Sequence, residues 1–189
     1  MPLSTATPLN RDNYVPTLLS AFQSNQTVKA LVFLPGVSDD FYLINRDAPK
    51  LNIKAGNLLA AISALTNATA VRATFRAPLL LLHLERDWLE PRLTIKDQAT
   101  ARRLKLKCGR PHVLWNDTHW ERLQPLLQDA LKIKVLPAAA SPDAWHFARH
   151  NMAAWNLPDW NLLAALSLTG RTTISIERNH LSFALPDSP

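Results

Sequence analysis

The sequence predicts an α+β fold built from two related units, and three observations lead to this prediction. The phrase Asn-Leu-Leu-Ala-Ala occurs twice, at residues 57–61 and 161–165. Each copy is preceded by a segment with a Leu-Leu pair and then by a short apolar run that ends at proline. Each copy is followed by two short segments of strand composition. Elements that recur in the same order indicate an internal duplication of one α+β unit.

The first helix of each unit is predicted from the spacing of its apolar residues. Residues 15–25 and 119–131 place apolar side chains at i, i+3 and i+4, which is the spacing of an amphipathic helix. The apolar runs at residues 31–34 and 133–136 predict short strands, because a proline follows each of them and ends the regular structure. Both units therefore contain a helix followed by a strand.

The repeated phrase itself predicts the second helix of each unit, because its aliphatic residues recur along one stripe. Gly170 follows the second copy, and glycine commonly ends a helix. A strand is predicted before each of these helices, at residues 41–45 and 145–148. A β-hairpin is predicted after each of them, and in the second hairpin Ile174 and Ile176 alternate with polar residues. The hairpin strands are residues 70–75 with 79–84, and residues 172–177 with 180–184.

These elements divide the chain into a first unit, a connecting segment and a second unit, which span residues 1–88, 89–111 and 112–189. Each unit is predicted to be a small helix and sheet sandwich of the type β-α-β-β-α-β-β, and a strand at residues 112–115 begins the second one. The connecting segment is too apolar for a disordered linker. Its apolar and polar residues alternate, so we expect two extra strands, at residues 92–96 and 103–107.

With this order of elements, the units resemble the short N-terminal module of secretins and of TonB-dependent signalling receptors. In that family the first helix of a β-α-β-β-α-β-β module is followed by a strand that ends near a proline. The second helix ends near a Thr-Gly pair and leads into a hairpin. The second unit matches through Leu123-Gln-Pro-Leu-Leu, Ile133-Lys-Val-Leu-Pro and Thr169-Gly, whereas the first unit has Thr66-Asn at the last of these places.

The modules of that family are not catalysts, so the resemblance implies docking, in which sheet edges and helix faces assemble rings or bind a partner protein. An exposed strand edge can add a strand of another protein through main-chain hydrogen bonds. We therefore expect a non-catalytic assembly protein that binds a protein partner or itself, without a cofactor or a small-molecule substrate. Trp155 and Trp160 are candidate partner contacts, because tryptophan is enriched at the centres of interfaces; core packing is the alternative.

A basic stretch in the connecting segment favours an alternative function, nucleic-acid binding. The chain has a formal net charge of +6 and a pI of about 9.8, which suits an anionic partner. If the stretch is a strand, alternation places Arg103, Lys105 and Lys107 in line on one face, with Arg110 beyond them. Such a row of cations can follow a phosphate backbone. The alternative interpretation is the solvated face of a half-buried strand, with Cys108 on its buried face.

Two pairs of ring-bearing residues bear on these alternatives. Trp115 and Trp120 lie near the basic stretch in the sequence and are of the type that stacks on bases, although core packing also explains them. His146 and His150 are four residues apart, so they share a face of either a strand or a helix. No acidic ligand stands at a recognised spacing from them, and we predict no metal site.

Catalytic and targeting signals are missing from the sequence as written. It contains no nucleophile elbow, glycine-rich phosphate loop or spaced carboxylate pair, so we predict no enzyme; an enzyme with scattered catalytic residues is a third alternative. The N-terminus lacks the basic start and apolar core of a secretion leader, and no apolar run approaches the roughly 20 residues that span a bilayer. We predict no membrane span, and a cytoplasmic location by default or a periplasmic one if a leader has been removed.

Overall fold

The computed structural model describes residues 8–9, 14–23, 28–37, 51–52, 58–136 and 149–184. The fold is α+β, which confirms the predicted class. In chain order its elements are β1 (Pro8–Leu9), α1 (Tyr14–Gln23), β2 (Ala30–Phe33), β3 (Leu51–Asn52), α2 (Leu58–Ala68), β4 (Arg72–Arg76), β5 (Leu79–His83), β6 (Arg92–Ile95), α3 (Gln98–Leu106), β7 (His112–His119), α4 (Trp120–Leu131), β8 (Lys134–Leu136), β9 (Arg149–Trp155), α5 (Asp159–Thr169), β10 (Thr173–Ile176) and β11 (His180–Ala184).

The larger sheet has five strands in the order β4-β5-β2-β9-β7. β2 and β5 run parallel to each other, and the other three pairs are antiparallel. Both parallel strands are buried along their whole length. Their sequences, Ala-Leu-Val-Phe and Leu-Leu-Leu-Leu-His, are almost continuously apolar, because the centre of a sheet that is covered on both faces needs apolar side chains on both sides.

The smaller sheet has four strands in the order β6-β10-β11-β8. β10 and β11 form an antiparallel hairpin, and β6 and β8 add to it in parallel on either side. Ile174 and Ile176 of β10 face the core, whereas the residues that alternate with them are partly exposed. Buried and partly exposed residues therefore alternate as predicted for a strand with one solvent-exposed face. A separate two-stranded ladder joins β1 to β3.

The helices occupy both faces of the larger sheet. α1 and α2 pack on one face and form a core with Leu31 and Phe33 of β2 and with Leu80 and Leu82 of β5. On the other face, α3, α4 and α5 share a second core with residues of both sheets. α5 contacts strands of both sheets and is buried on nearly all sides. A helix that is apolar all round is expected in such a position.

The two halves of the described chain pair their strands in the same way. In residues 8–83, β2 follows α1 and lies parallel to β5, β5 pairs with β4, and β1 pairs with β3. In residues 112–184, β8 follows α4 and lies parallel to β11, β11 pairs with β10, and β7 pairs with β9. The halves are joined because β9 also pairs with β2.

The basic stretch forms helix α3, so the second of the predicted connecting strands is wrong. Asp97 precedes the helix and accepts a hydrogen bond from the N–H of Thr100 at 3.2 Å, which caps the helix N-terminus. The buried residues Thr100 and Leu104 are four positions apart, as on one face of a helix. Leu106 is consequently 90% exposed, and Cys108 is exposed rather than buried.

The other predicted helices and hairpins are confirmed, with bounds that differ by a few residues, and the connecting strand at residues 92–96 is confirmed as β6. The strands predicted at residues 41–45 and 145–148 lie outside the described residues. Among the described strands, β3 directly precedes α2 and β9 directly precedes α5, the second helix of each half. The division of the chain at residues 88 and 111 stays a prediction.

Candidate docking surface

β4 forms an edge of the larger sheet, and within the described residues no strand pairs with its outer side. Its Phe75 lies opposite Leu80, whose side chain belongs to the core beneath α1 and α2, so both side chains are on the same face of the sheet. Leu80 is buried, whereas Phe75 is 61% exposed. A large exposed aromatic side chain on a regular strand edge is typical of an interaction surface.

The outer face of α2 extends this surface, since α2 packs against β4. No residue of α2 is charged, although one face of the helix is exposed. The exposed face of a helix on a soluble protein ordinarily carries charged residues. We define the β4–α2 surface as the exposed part of these two elements. It includes Leu59, Ala60, Ser63, Ala73 and Phe75.

The edge strand β8 of the smaller sheet is closed by two glutamines of α4. The side-chain amide of Gln124 donates a hydrogen bond to the carbonyl oxygen of Val135, with 3.0 Å between the two atoms. Oε1 of Gln128 accepts a hydrogen bond from the N–H of Val135, also at 3.0 Å. Both main-chain groups of Val135 are thereby occupied, so this residue offers no hydrogen bond to a further strand.

The second edge of the larger sheet, β7, is irregular. Its register with β9 shifts between Trp115 and Thr118. Asp117 lies within this irregular part with a φ of 50° and forms an ion pair with Arg149 at 3.2 Å. Bulges and charged side chains on an edge oppose the addition of another strand. β4 is therefore the more regular of the two edges of the larger sheet.

The four basic residues predicted to bind nucleic acid do not form a row. Arg103 and Lys105 point to different sides of α3, because residues two positions apart in a helix are separated by about 200° of rotation about its axis. Lys105 lies over the ring of Trp160, with 4.6 Å from Nζ to the ring centroid. Lys107 is the C-cap of α3, and Arg110 lies beyond the helix. The row of cations on one strand face, which would follow a phosphate backbone, is therefore absent from this described segment.

The tryptophans singled out in the sequence do not meet at one surface. Trp155 packs against the core beneath α1 and α2, and its ring meets His112 edge-on with 4.3 Å between ring centroids. Trp160 packs against the core between the two sheets, on the opposite side of the larger sheet. Trp115 and Trp120 are buried in that same core, so they are not available to stack on bases.

Within the described segments, no group of three or more His, Cys, Asp or Glu side chains is arranged to hold a metal ion. His146 lies outside the described residues. His150 is completely buried, and its Nδ1 lies 2.7 Å from Oγ1 of Thr169. Burial, together with the nearby His119, lowers the pKa of His150 to about 4, so its ring is neutral near pH 7.

Asp159, the first residue of α5, connects this helix to the end of α3. Its Oδ1 accepts a hydrogen bond from the N–H of Gly109 at 2.7 Å, and its own N–H donates to the carbonyl oxygen of Lys107 at 2.8 Å. Burial raises the pKa of Asp159, an effect that the Gly109 N–H and the charges of Lys107 and Arg103 oppose. These contacts hold the C-terminal end of α3 against the start of α5.

Comparisons with protein-family models, with curated proteins and with solved structures found no match to this chain. None of the helices in the described ranges combines the length and apolar character that a membrane span requires. Sequence reasoning did not single out Phe75 or the outer face of α2. The one available signal was the absence of charge from residues 58–71, which is unusual for an exposed helix.

Proposed function

We propose that the chain is a non-catalytic assembly protein that docks another protein, or a second copy of itself, on the β4–α2 surface. The observation that carries this proposal is Phe75, which is 61% exposed on an edge strand that has no outer partner among the described residues. A strand edge supplies main-chain hydrogen bonds to a partner strand, and an aromatic side chain supplies an apolar anchor.

The order of elements supports the family to which we assign the two halves. Residues 8–83 and 112–184 each follow the order strand, helix, strand, strand, helix, strand, strand. This is the order of the short N-terminal modules of secretins and TonB-dependent signalling receptors. Corresponding strands of the two halves also pair alike. We propose that the halves arose by duplication, and that each is a module of this type whose role is docking.

The charges near β4 are compatible with strand addition. Arg72 pairs with Glu85 at 3.2 Å, and Arg76 pairs with Glu90, so both cations of the strand are compensated within the chain. Uncompensated lysines on an edge strand would instead repel an added strand. Burial of a phenylalanine side chain contributes about 1.5–3 kcal/mol, which corresponds to a change in affinity of roughly tenfold to a hundredfold.

A photoreactive phenylalanine analogue at position 75 of the full chain tests this proposal in cells. We expect it to crosslink to one defined protein or to a second copy of the chain, identified by mass spectrometry. The same analogue at position 106 is the matched control, because Leu106 is 90% exposed but lies on α3, outside the β4–α2 surface. It should not give that product.

The captured protein is then purified, and its affinity for variants of the chain is measured by calorimetry. Phe75→Asp should weaken binding by about tenfold or more, because it places a charge at the centre of the apolar contact. Leu106→Asp should leave the affinity unchanged. The proposal is wrong if positions 75 and 106 give the same products, or if Phe75→Asp binds as tightly as the native chain.

A further inference from the structure

The second half of the chain contains a counterpart of the β4–α2 surface, and there it is covered. β10 corresponds to β4, because each pairs antiparallel with the last strand of its half. β6 adds in parallel to the outer side of β10, from Arg92 opposite Thr173 to Ile95 opposite Ile176. Ile176 of β10 faces the core and is 0% exposed, whereas Phe75, on the helix side of β4, is largely exposed.

A helix completes this cover. α3 follows β6 and packs on α5, which corresponds to α2. The C-terminal end of α3 lies at the start of α5, since the carbonyl oxygen of Lys107 accepts a hydrogen bond from Asp159 and Lys105 lies over Trp160. Leu104 of α3 is fully buried in the core to which α5 belongs. β6 and α3 thus contribute to the cover of β10 and α5, with a strand parallel to β10 and a helix that packs on α5.

The buried face of α5 and the exposed face of α2 carry the same side chains at three corresponding positions. These are Leu59 and Leu163, Ala60 and Ala164, and Ser63 and Ser167. The three residues of α5 are each 5% exposed or less, whereas the three residues of α2 are exposed. Because the side chains are identical, the difference in exposure reflects what packs over them, and α5 is covered by β2 and β9 of the larger sheet as well as by β6 and α3. The exposed face of α2 therefore has a composition that can be buried beneath a packed element, as the corresponding face of α5 is.

The serine of this face has a specific role in the second half. Oγ of Ser167 accepts a hydrogen bond from the N–H of Arg92, the first residue of β6, at 2.8 Å, and donates one to the carbonyl oxygen of Thr172 at 2.6 Å. Ser63 stands at the corresponding position of α2 and is exposed. Its hydroxyl group is of the type that accepts the first N–H of an added strand.

We infer that the β4–α2 surface binds a segment of a partner protein with one defined form, a strand that adds parallel to β4 followed by an amphipathic helix that covers α2. The inference rests on the proposed function, because it specifies the occupant of the same surface. The inner face of the partner helix carries small and aliphatic residues, as Ala101 and Leu104 do in α3. Among the described residues, the chain's own β6 and α3 are engaged with β10 and α5, and we assign the occupant of the β4–α2 surface to another protein.

A synthetic peptide with the sequence of residues 90–107 is the probe, because this segment pairs with β10, packs on α5 and donates the Arg92 N–H to Ser167 in the second half. It is titrated into the isotope-labelled full chain and followed by NMR. We expect shifts in the amide signals of residues 58–76, with a Kd of about 1 mM or tighter. A spin label on the peptide N-terminus should broaden Arg72 more than Arg76, because the proposed pairing is parallel.

Matched variants separate specific docking from unspecific adhesion. Phe75→Asp in the chain should abolish the shifts, and Ser63→Val should weaken binding by roughly fivefold, the expected loss for one neutral hydrogen bond. Both variants are checked for native spectra elsewhere. Leu106→Asp in the chain should bind as the native chain does. A peptide in which Leu104 is replaced by Asp should not bind, because the inner face of its helix is then charged.

Three results would overturn the inference. They are the absence of shifts at about 2 mM peptide, shifts confined to β10 and α5, which indicate exchange with the chain's own segment, and stronger broadening at Arg76 than at Arg72. Each of these results leaves the crosslinking outcome at position 75 standing. Failure of this inference is therefore distinguishable from failure of the proposed docking function.

Discussion

Arg171 donates a hydrogen bond to Asp87 across 84 positions of the chain, with 3.1 Å between Nη2 and Oδ1. Arg171 lies in the turn after α5, and Asp87 lies in the loop after β5, so the contact ties the second half of the chain to the loop that follows the first half. The same carboxylate accepts hydrogen bonds from the N–H groups of Gly36, at 3.1 Å, and Leu84, at 2.8 Å. The carboxylate of Asp87 is therefore the common acceptor of three separate segments.

Asp87→Ala should lower the free energy of unfolding by about 3 kcal/mol, measured by urea denaturation, because two buried N–H groups lose their acceptor together with the ion pair. Arg171→Gln should cost about 1 kcal/mol, since the arginine is half exposed and both N–H groups keep their acceptor. Glu85→Ala is the control and should cost less than about 0.5 kcal/mol, because its pair with Arg72 is exposed. Equal losses for Asp87→Ala and Glu85→Ala would contradict this account.

The two glutamines at β8 predict different responses to the same substitution. Gln124→Glu removes the donor to the carbonyl oxygen of Val135 and places a carboxylate beside it, so we expect a loss of about 1–2 kcal/mol. Gln128→Glu retains an acceptor for the N–H of Val135 and should cost less than about 0.5 kcal/mol. Urea denaturation of both variants measures the difference, and equal losses would show that these hydrogen bonds do not form.

Removal of both glutamines should also open the edge of β8. In the double variant Gln124→Ala, Gln128→Ala, the main-chain groups of Val135 are available to another strand, and we expect self-association that increases with concentration. Sedimentation velocity compares it with the native chain over a range of concentrations. The variant Gln98→Ala is the control, because Gln98 begins α3, away from β8. Identical sedimentation of all three proteins would mean that the glutamines do not protect the edge.

The sequence predicted those parts of the fold in which local pattern and burial agree. The alternation of Ile174 and Ile176 with polar residues matches one buried face of β10, and the repeated leucine phrase matches α2 and α5. In each case the side chains that decide the structure are a few residues apart. Local periodicity is therefore sufficient to identify the element.

The errors and omissions arise where local pattern is ambiguous or where exposure depends on distant segments. Cations alternate with leucines at residues 103–107, as in a strand, but the Asp97 cap and residues of high helix propensity favour the helix that forms. The exposure of Phe75 could not be predicted, because it depends on a strand that pairs with β10 and not with β4. The residues next to Phe75 in the sequence do not indicate which distant strand pairs with which.

Gly109 and Gly170 differ in the space available for a side chain. A Cβ atom at position 109 would lie 2.1 Å from the carbonyl oxygen of Ala130. This oxygen belongs to the backbone, so it can move aside only at a large cost in free energy. Gly109→Ala should therefore cost about 3 kcal/mol or prevent folding. At Gly170 the nearest atom is 3.2 Å away, the carbonyl oxygen of Leu166, and Gly170→Ala should cost about 1 kcal/mol or less. Thermal unfolding compares the two variants, and a greater loss at position 170 would contradict the geometry.

His150 should make the protein less stable as the pH falls below about 6.5. Its folded-state pKa of about 4 lies below the ordinary value of 6.5, so between these values the unfolded chain binds a proton that the folded chain excludes. The stability that the neutral, buried ring contributes is fully present above pH 6.5. Below this pH the free energy of unfolding decreases by about 1.4 kcal/mol per pH unit, and the total loss is about 3 kcal/mol near pH 4. Urea denaturation from pH 8 to pH 4 should show this decrease in the native chain.

His150→Gln removes the titrating ring and should flatten this part of the pH dependence, while the slopes of the two proteins agree between pH 7.5 and 8.5, where the ring is neutral in both states. NMR titration of the ring in the native chain is an independent measurement that does not require the variant to fold. Since the ring is completely buried and its Nδ1 lies beside Thr169, its signals should not titrate between pH 7 and pH 5. A midpoint near 6.5 would mean that the ring is solvated and that the core around α5 is more open than the structure shows.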